Sequence, residues 1–265
     1  MDNRPIGVFD SGIGGLTGVD ALAKSLPNES ILYVGDTARV PYGNKSKARI
    51  QEYSDEIVQW LVNENCKMIV VACNTASSLA LTHLNSKFDL PIIGVINPGV
   101  YAAIQATKTL SIGVLGTRGT INSAAYGKKI KLENSRISVI SQACPLFVPL
   151  AEEGWISGDV PKAVAENYLA IFKESNVDTV ILGCTHYPLL KTVINEVIGG
   201  DVSLVDSSEA TASIVQSVLK QKELSAEGSV GEVHCFVTDS PDSFSSLADR
   251  FVTIKIQSIS HVDIS

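Results

Sequence analysis

Short apolar runs rich in Ile and Val recur along the chain, separated by stretches whose apolar residues fall at helical spacing. IGVF (6–9), ILYVG (31–35), MIVVA (68–72) and PIIGVI (91–96) read as strands. Residues 15–26 read as a helix stopped by Pro27, and residues 45–65 place Ile50, Tyr53, Ile57, Leu61 and Val62 on one helical face. A second series follows: SIGVL (111–115), ISVI (137–140), a helix over 159–173, TVILG (179–183) and SLV (203–205). A helix over 208–221 and strands over 233–237 and 252–256 complete the pattern, with the polar stretch 220–232 read as an exposed loop. Strands apolar on both faces, alternating with helices, predict an α/β fold with parallel sheets covered on both sides.

The two series echo each other. Gly7-Val8-Phe9-Asp10-Ser11 matches Gly113-Val114-Leu115-Gly116-Thr117 in outline, and Ile69-Val70-Val71-Ala72-Cys73 matches Val180-Ile181-Leu182-Gly183-Cys184. The order is the same and the separation nearly so, which predicts two related α/β units. Ligands of open α/β sheets bind beyond the carboxyl ends of strands. DSG (10–12), GDTARVPYG (35–43), ACNT (72–75), GTRGT (116–120) and GCTHYP (183–188) all stand at such ends. If the units face each other, Cys73 and Cys184 approach one cleft from opposite sides.

Composition narrows the function. The 265 residues suffice for one large or two small domains, and 45% apolar content supports a sizeable core. A net charge of −7 argues against nucleic acid and anionic membrane as partners. No apolar run is long enough to span a bilayer, and MDNRPIGVFD lacks the regions of a signal peptide. Five widely spaced cysteines without a C-x-x-C pair disfavour disulfides and structural zinc, so a reducing cytoplasm is expected.

Cys66, Cys144 and Cys235 read as small buried hydrophobes. Cys73 and Cys184 differ, because each ends an apolar strand and is expected to open a helix, a position that favours the thiolate. A hydrolase needs one thiol with a histidine. Abstraction of a proton from a stereocentre, with redelivery to the opposite face, needs a base and an acid on opposite sides, and two similar groups suit it. Asp10 reads as an N-cap or Asx-turn residue, or as the group that orients Cys73. His186 caps locally or holds the protonation state of Cys184. Glu152 reads first as an exposed helix carboxylate. Ser11, Asn74, Thr75, Thr117, Thr120 and Thr185 offer donors suited to carboxylates, and Arg39 and Arg118 are the cations of these segments.

A rival pattern is present. Gly12, Gly14, Gly15 and Gly18 follow a strand, and Asp36 ends the next one, near a dinucleotide-binding fingerprint. The third glycine is out of place, since Thr17 stands there, and the paired cysteines stay unexplained. A nicotinamide-dependent oxidoreductase and a non-catalytic binding module for an acidic amino acid are the competing readings.

At these residues the chain resembles the bacterial glutamate racemases, within the aspartate/glutamate racemase superfamily. The matches are FDSGIGGLT (9–17), YVGDTARVPYG (33–43), ACNTAS (72–77), IGVLGTRGTI (112–121), ACPLFVPLAEEGW (143–155), LGCTHYPLL (182–190) and VDSSEATA (205–212). Aspartate-specific members typically lack the DSGIGG opening and carry Glu where this chain has His186. The resemblance implies two pseudo-symmetric domains with the active site between them: 1–97 with 208–265 on the Cys73 side, and 98–207 on the Cys184 side. It implies interconversion of L- and D-glutamate without pyridoxal phosphate, metal or other cofactor, supplying D-glutamate to peptidoglycan. Cys73 and Cys184 would be the two bases, for D- and L-glutamate respectively, with Asp10 and His186 assisting and Glu152 near the second thiol. Asp10, Ser11, Pro41, Tyr42, Gly43, Asn74, Thr75, Thr185 and His186 would contact substrate, joined by Thr117 and Thr120. A homodimer is compatible with the resemblance. Ser208 stands where the family pattern has glycine, Gly18 interrupts an apolar helix, and the C-terminus lacks the usual FLG.

Overall fold

The apolar runs become buried parallel strands. The computed structural model describes residues 1–264. Its strands, in chain order, are β1 (Ile6–Asp10), β2 (Ile31–Gly35), β3 (Met68–Val71), β4 (Ile92–Gly94), β5 (Ser111–Gly116), β6 (Ser138–Ala143), β7 (Thr179–Gly183), β8 (Ser203–Val205), β9 (Val233–Val237) and β10 (Ser258–His261). They form a six-stranded sheet in the order β10-β9-β2-β1-β3-β4 and a four-stranded sheet in the order β6-β5-β7-β8. All pairings among the described residues are parallel.

The order β2-β1-β3-β4 in one sheet repeats as β6-β5-β7-β8 in the other. The sequence echo therefore marks equivalent strands: β1 with β5, and β3 with β7. Alternation along each strand divides its side chains between two covered faces. On the larger sheet Val8 and Val70 pack with Leu16, Val19 and Leu22 of the helix Leu16–Ser25. Phe9, Ile69 and Val71 pack instead with Ile50, Ile57 and Leu61 of the helix Lys47–Asn63. That helix starts where Ser46 accepts the Arg49 N–H. Leu115, Val180 and Leu182 face one layer of the smaller sheet, and Ile112, Val114 and Ile181 the other.

One strand is misplaced by the pattern. Residues 252–256 do not form a strand; β10 begins at Ser258. The Asp20 carboxylate accepts the N–H groups of Thr253 and Ile254, so this backbone is tied to a helix rather than to β9. Phe251 and Val252 are drawn into the core there. At the opposite ends of the strands, Lys67 lies 2.5 Å from Glu29, and both are buried. Lys67 also donates to the Asp2 carbonyl, and Glu29 accepts the Ala226 N–H. This network clamps the chain start and the polar loop onto the sheet.

Candidate active site

β1, β3, β5 and β7 are adjacent pairs at the centres of their sheets, and the motif loops leave from their carboxyl ends. Beyond β3, Cys73 is 5% exposed and caps the short helix Asn74–Leu79, its sulfur accepting the Ala76 N–H at 3.5 Å. Burial, and after it the nearby Asp10 charge, push this thiol well above its ordinary range, against the Ala76 N–H and the Ser11 hydroxyl. The expected depression by a helix N-terminus is thereby overturned. Six helical residues supply too little dipole to offset complete removal from water.

Cys184 stands after β7 but does not open an α-helix, a second correction. Tyr187 N–H closes a tighter turn onto the Cys184 carbonyl at 3.1 Å. Pro188 has no N–H with which to make the α-helical bond to that carbonyl. The next element is the 3-10 turn Tyr187–Leu190. The Cys184 sulfur is 3.9 Å from His186 Nδ1, and His186 Nε2 is 2.9 Å from Glu152 Oε1. Burial opposes charge on this imidazole, but the hydrogen bonds to Cys184 and Glu152 outweigh it and raise the group to about 10. At neutral pH His186 is thus an imidazolium that donates on both sides. Glu152 ends the helix Phe147–Glu152, and Arg250 Nη1 anchors that end through the Glu152 carbonyl at 2.6 Å.

Asp10 is fully buried and makes the turn expected of it, while its second oxygen meets Thr185 rather than Cys73. Oδ2 accepts the N–H groups of Gly12 and Gly15 at 3.2 and 3.1 Å, which builds the turn into the first helix. Oδ1 meets the Thr185 hydroxyl at 3.5 Å, across from the smaller sheet. Burial pushes the Asp10 carboxyl up, and the His186 charge pulls the other way. A Cβ on Gly14 would overlap the Thr185 and His186 side chains, so glycine is required for this approach.

Hydroxyl groups join the two sides elsewhere. Thr75 Oγ1 lies 2.9 Å from Thr117 Oγ1 and 3.3 Å from Thr120 Oγ1, and Thr117 caps the helix Arg118–Ser123. Ser11, Pro41, Gly43, Thr117, Glu152 and His186 line an open cavity of about 340 Å³. Asn74, Cys184 and Thr185 border a smaller enclosed one of about 20 Å³, which Gly18 and Ser208 also line. Cys73 and Asp10 lie beneath these linings, packed in the sheet ends. Tyr42 departs from the expected role in its side chain, which is buried with its hydroxyl on Asp36. Only its backbone remains for a ligand. Arg118 is exposed at the mouth and makes no ion pair among the described residues, whereas Arg39 is held by Asp36 and Glu56.

That use of Asp36 removes the dinucleotide reading. Its carboxylate already takes Arg39 Nε at 2.7 Å, Thr238 Oγ1 at 2.9 Å and the Tyr42 hydroxyl, leaving nothing for a ribose. Tyr126 is the residue the sequence reading missed. Its hydroxyl donates to Asn74 Oδ1 at 2.7 Å from the far side of the cleft. The run AAYG (124–127) carries no strand-end or motif signal that would have singled it out.

Comparison with known proteins bears on this arrangement. A family model described as Asp/Glu/Hydantoin racemase matches residues 16–215. A glutamate racemase of Geobacter metallireducens is 49% identical over 265 residues, covering 100% of this chain and 98% of that protein. One of Chlorobium phaeobacteroides is 44% identical, covering 98% and 96%. The crystal structure of the Francisella tularensis glutamate racemase in complex with D-glutamate superposes with a TM-score of 0.94 at 41% identity, covering 100% and 99% of the two chains.

Proposed function

This chain belongs to the Asp/Glu/Hydantoin racemase family, and from that premise we infer that it racemises glutamate by passing the Cα proton between two thiols, Cys73 and Cys184. It is an isomerase, of the activity borne by its full-length relatives. The observation that carries the two-thiol reading is the equivalence of β3 and β7: each central strand leads into a buried cysteine, and Ala72 and Asn74, which flank Cys73, line one small cavity with Cys184.

The chemistry follows from that pairing. One sulfur, as thiolate, takes the proton from one face of Cα. The other, as thiol, delivers its proton to the opposite face. The first ends as thiol and the second as thiolate, so the enzyme finishes with the same number of protons, differently placed. Asp10 beside Cys73 and His186 beside Cys184 return the sulfurs to their starting states. The imidazolium, steadied by Glu152, also offsets charge at Cys184. Ser11, the backbone of Pro41, Tyr42 and Gly43, and the side chains of Asn74, Thr75, Thr117, Thr120 and Thr185 hold the two carboxylates and the amino group. The proposed units are 1–97 with 208–265, and 98–207; strands of the larger sheet come from 6–94 and 233–261. D-Glutamate for peptidoglycan is the proposed product use, in the cytoplasm. No helix among the described residues is long and apolar enough to cross a membrane. A homodimer is part of this proposal, and sedimentation at assay concentration checks it.

The test is proton exchange in heavy water. Purified, reduced protein is incubated with L-glutamate and separately with L-aspartate. Loss of both the Cα–H signal and optical rotation for glutamate alone is expected. Folded protein that exchanges neither would overturn the reading and leave a cleft that only binds.

A further inference from the structure

Tyr126 lies on the helix Ala125–Glu133, which packs against the smaller sheet, and is 2% exposed. Its ring crosses the end of β7. A Cβ on Gly183 would stand 3.1 Å from its Cε2, so this glycine leaves room for it, while one on Gly99 would only touch the ring at 3.5 Å. The hydroxyl passes beyond the residue that precedes Cys184 and reaches Asn74, the residue that follows Cys73, at 2.7 Å. One side chain thus spans the two thiol-bearing strand ends.

The direction of that hydrogen bond has a consequence. The Tyr126 hydroxyl is buried, and burial, reinforced by the Asp206 charge, pushes it far above its ordinary range, so it stays protonated. The nearby Ser207 hydroxyl favours ionisation of the phenol but does not outweigh burial. The phenol carries one proton, and it gives that proton to Asn74 Oδ1. The amide of Asn74 is then turned one way only. Its Nδ2 has no partner among the described residues, and Asn74 borders the small cavity shared with Cys184 and Thr185. An amide N–H₂ facing the cleft can donate to a carboxylate; a flipped amide would present a carbonyl and repel it.

We propose that Tyr126 is a positioning residue, which orients Asn74 as a carboxylate donor and braces the Cys73 and Cys184 strand ends against each other. The inference rests on the racemase reading above and extends it to a residue that touches neither substrate nor reacting atoms. Tyr126→Phe keeps the ring and removes only the hydroxyl. The expected result is a KM for L-glutamate raised about five- to tenfold, the value of one net hydrogen bond, with kcat within about twofold. Asn74→Ala raises KM as well, and adding Tyr126→Phe to it changes KM by less than about twofold, because the amide to be oriented is gone. Ser207→Ala, which removes the hydroxyl beside the tyrosine, raises KM in the same sense by a smaller factor and stands in if Tyr126→Phe does not fold. An unchanged KM in Tyr126→Phe or, failing its folding, in Ser207→Ala overturns the proposal. So do effects of Tyr126→Phe and Asn74→Ala that simply multiply. Wild-type protein run alongside separates the two levels: if it exchanges no Cα proton, the racemase reading and this inference fall together, whereas an active wild type with an unaffected variant removes only Tyr126.

Discussion

The Cys73 side and the Cys184 side of the cleft are built from equivalent strands, yet they surround their sulfurs with opposite chemistry. Beside Cys73 stands a buried carboxyl, Asp10, and the thiol is pushed up by burial and by that charge. Beside Cys184 stands an imidazolium, His186, backed by a carboxylate, Glu152. A thiolate formed at Cys184 has a cation as neighbour; one formed at Cys73 has an acid that can itself hold a proton. A racemase must run in both directions, and on the proposed two-thiol mechanism symmetric backbones with unlike helpers would let it start each direction from a different resting arrangement. The hydroxyl cluster of Thr75, Thr117 and Thr120 sits between the two and belongs to both.

The sharpest way to break this comparison is to remove the sulfurs. Cys73→Ala and Cys184→Ala should each lower racemisation by at least about 10³-fold, the scale of a lost general acid or base. Polarimetry checks it, and full activity in either variant would end the two-thiol assignment. Next, Asp10→Asn and His186→Asn should each cost about 10²-fold, but unequally by direction. The enantiomers are equally stable, so kcat/KM stays matched between them; kcat itself should fall more in one direction for Asp10→Asn and more in the other for His186→Asn. Equal losses in both directions for both variants would erase the difference between the sides.

The Glu152 contact sharpens the comparison through pH. His186 titrates at about 10 in the fold against 6.5 ordinarily, so the folded state holds this proton more tightly. The stability this contributes is complete below about pH 6.5 and is lost as pH rises through about 10. Glu152→Gln should therefore be less stable than wild type at neutral pH, with the gap closing above pH 10, as denaturant titrations at several pH values would reveal. A gap independent of pH would mean that Glu152 acts by packing alone. The smaller effects come last. Thr75→Val should raise KM a few-fold through one hydroxyl network, measured by initial rates. Cys235→Ala, in the core of the larger sheet, should cost about 1 kcal/mol of stability and leave turnover unchanged, which separates structural thiols from the pair in the cleft.

Much of this was legible in the chain. Nine of the ten strands fall on apolar runs read from the sequence, and the echo between 69–73 and 180–184 marks β3 and β7 as equivalents. Strand 252–256 was misread because its apolar residues serve a loop pinned by Asp20, a contact between positions far apart in the chain. The helix expected after Cys184 failed on a local rule, the missing N–H of Pro188. Tyr126 was invisible because nothing in AAYG distinguishes it; its place comes from the room over Gly183 and from its bond to Asn74, 52 residues away in the chain.

Where the chain alternates between apolar runs and polar strand-end loops, backbone sterics and burial of strand side chains suffice to dictate parallel sheets, and those dictate which residues arrive at the cleft. That much the sequence determined by itself. The state of each group on arrival was decided only by the tertiary structure. The Cys73 thiol is pushed up because the fold excludes water from it, and His186 is pushed up by Cys184 and by Glu152, which is distant in sequence and brought within 2.9 Å. Local sequence places a side chain; desolvation and the partners contributed by other elements set its proton.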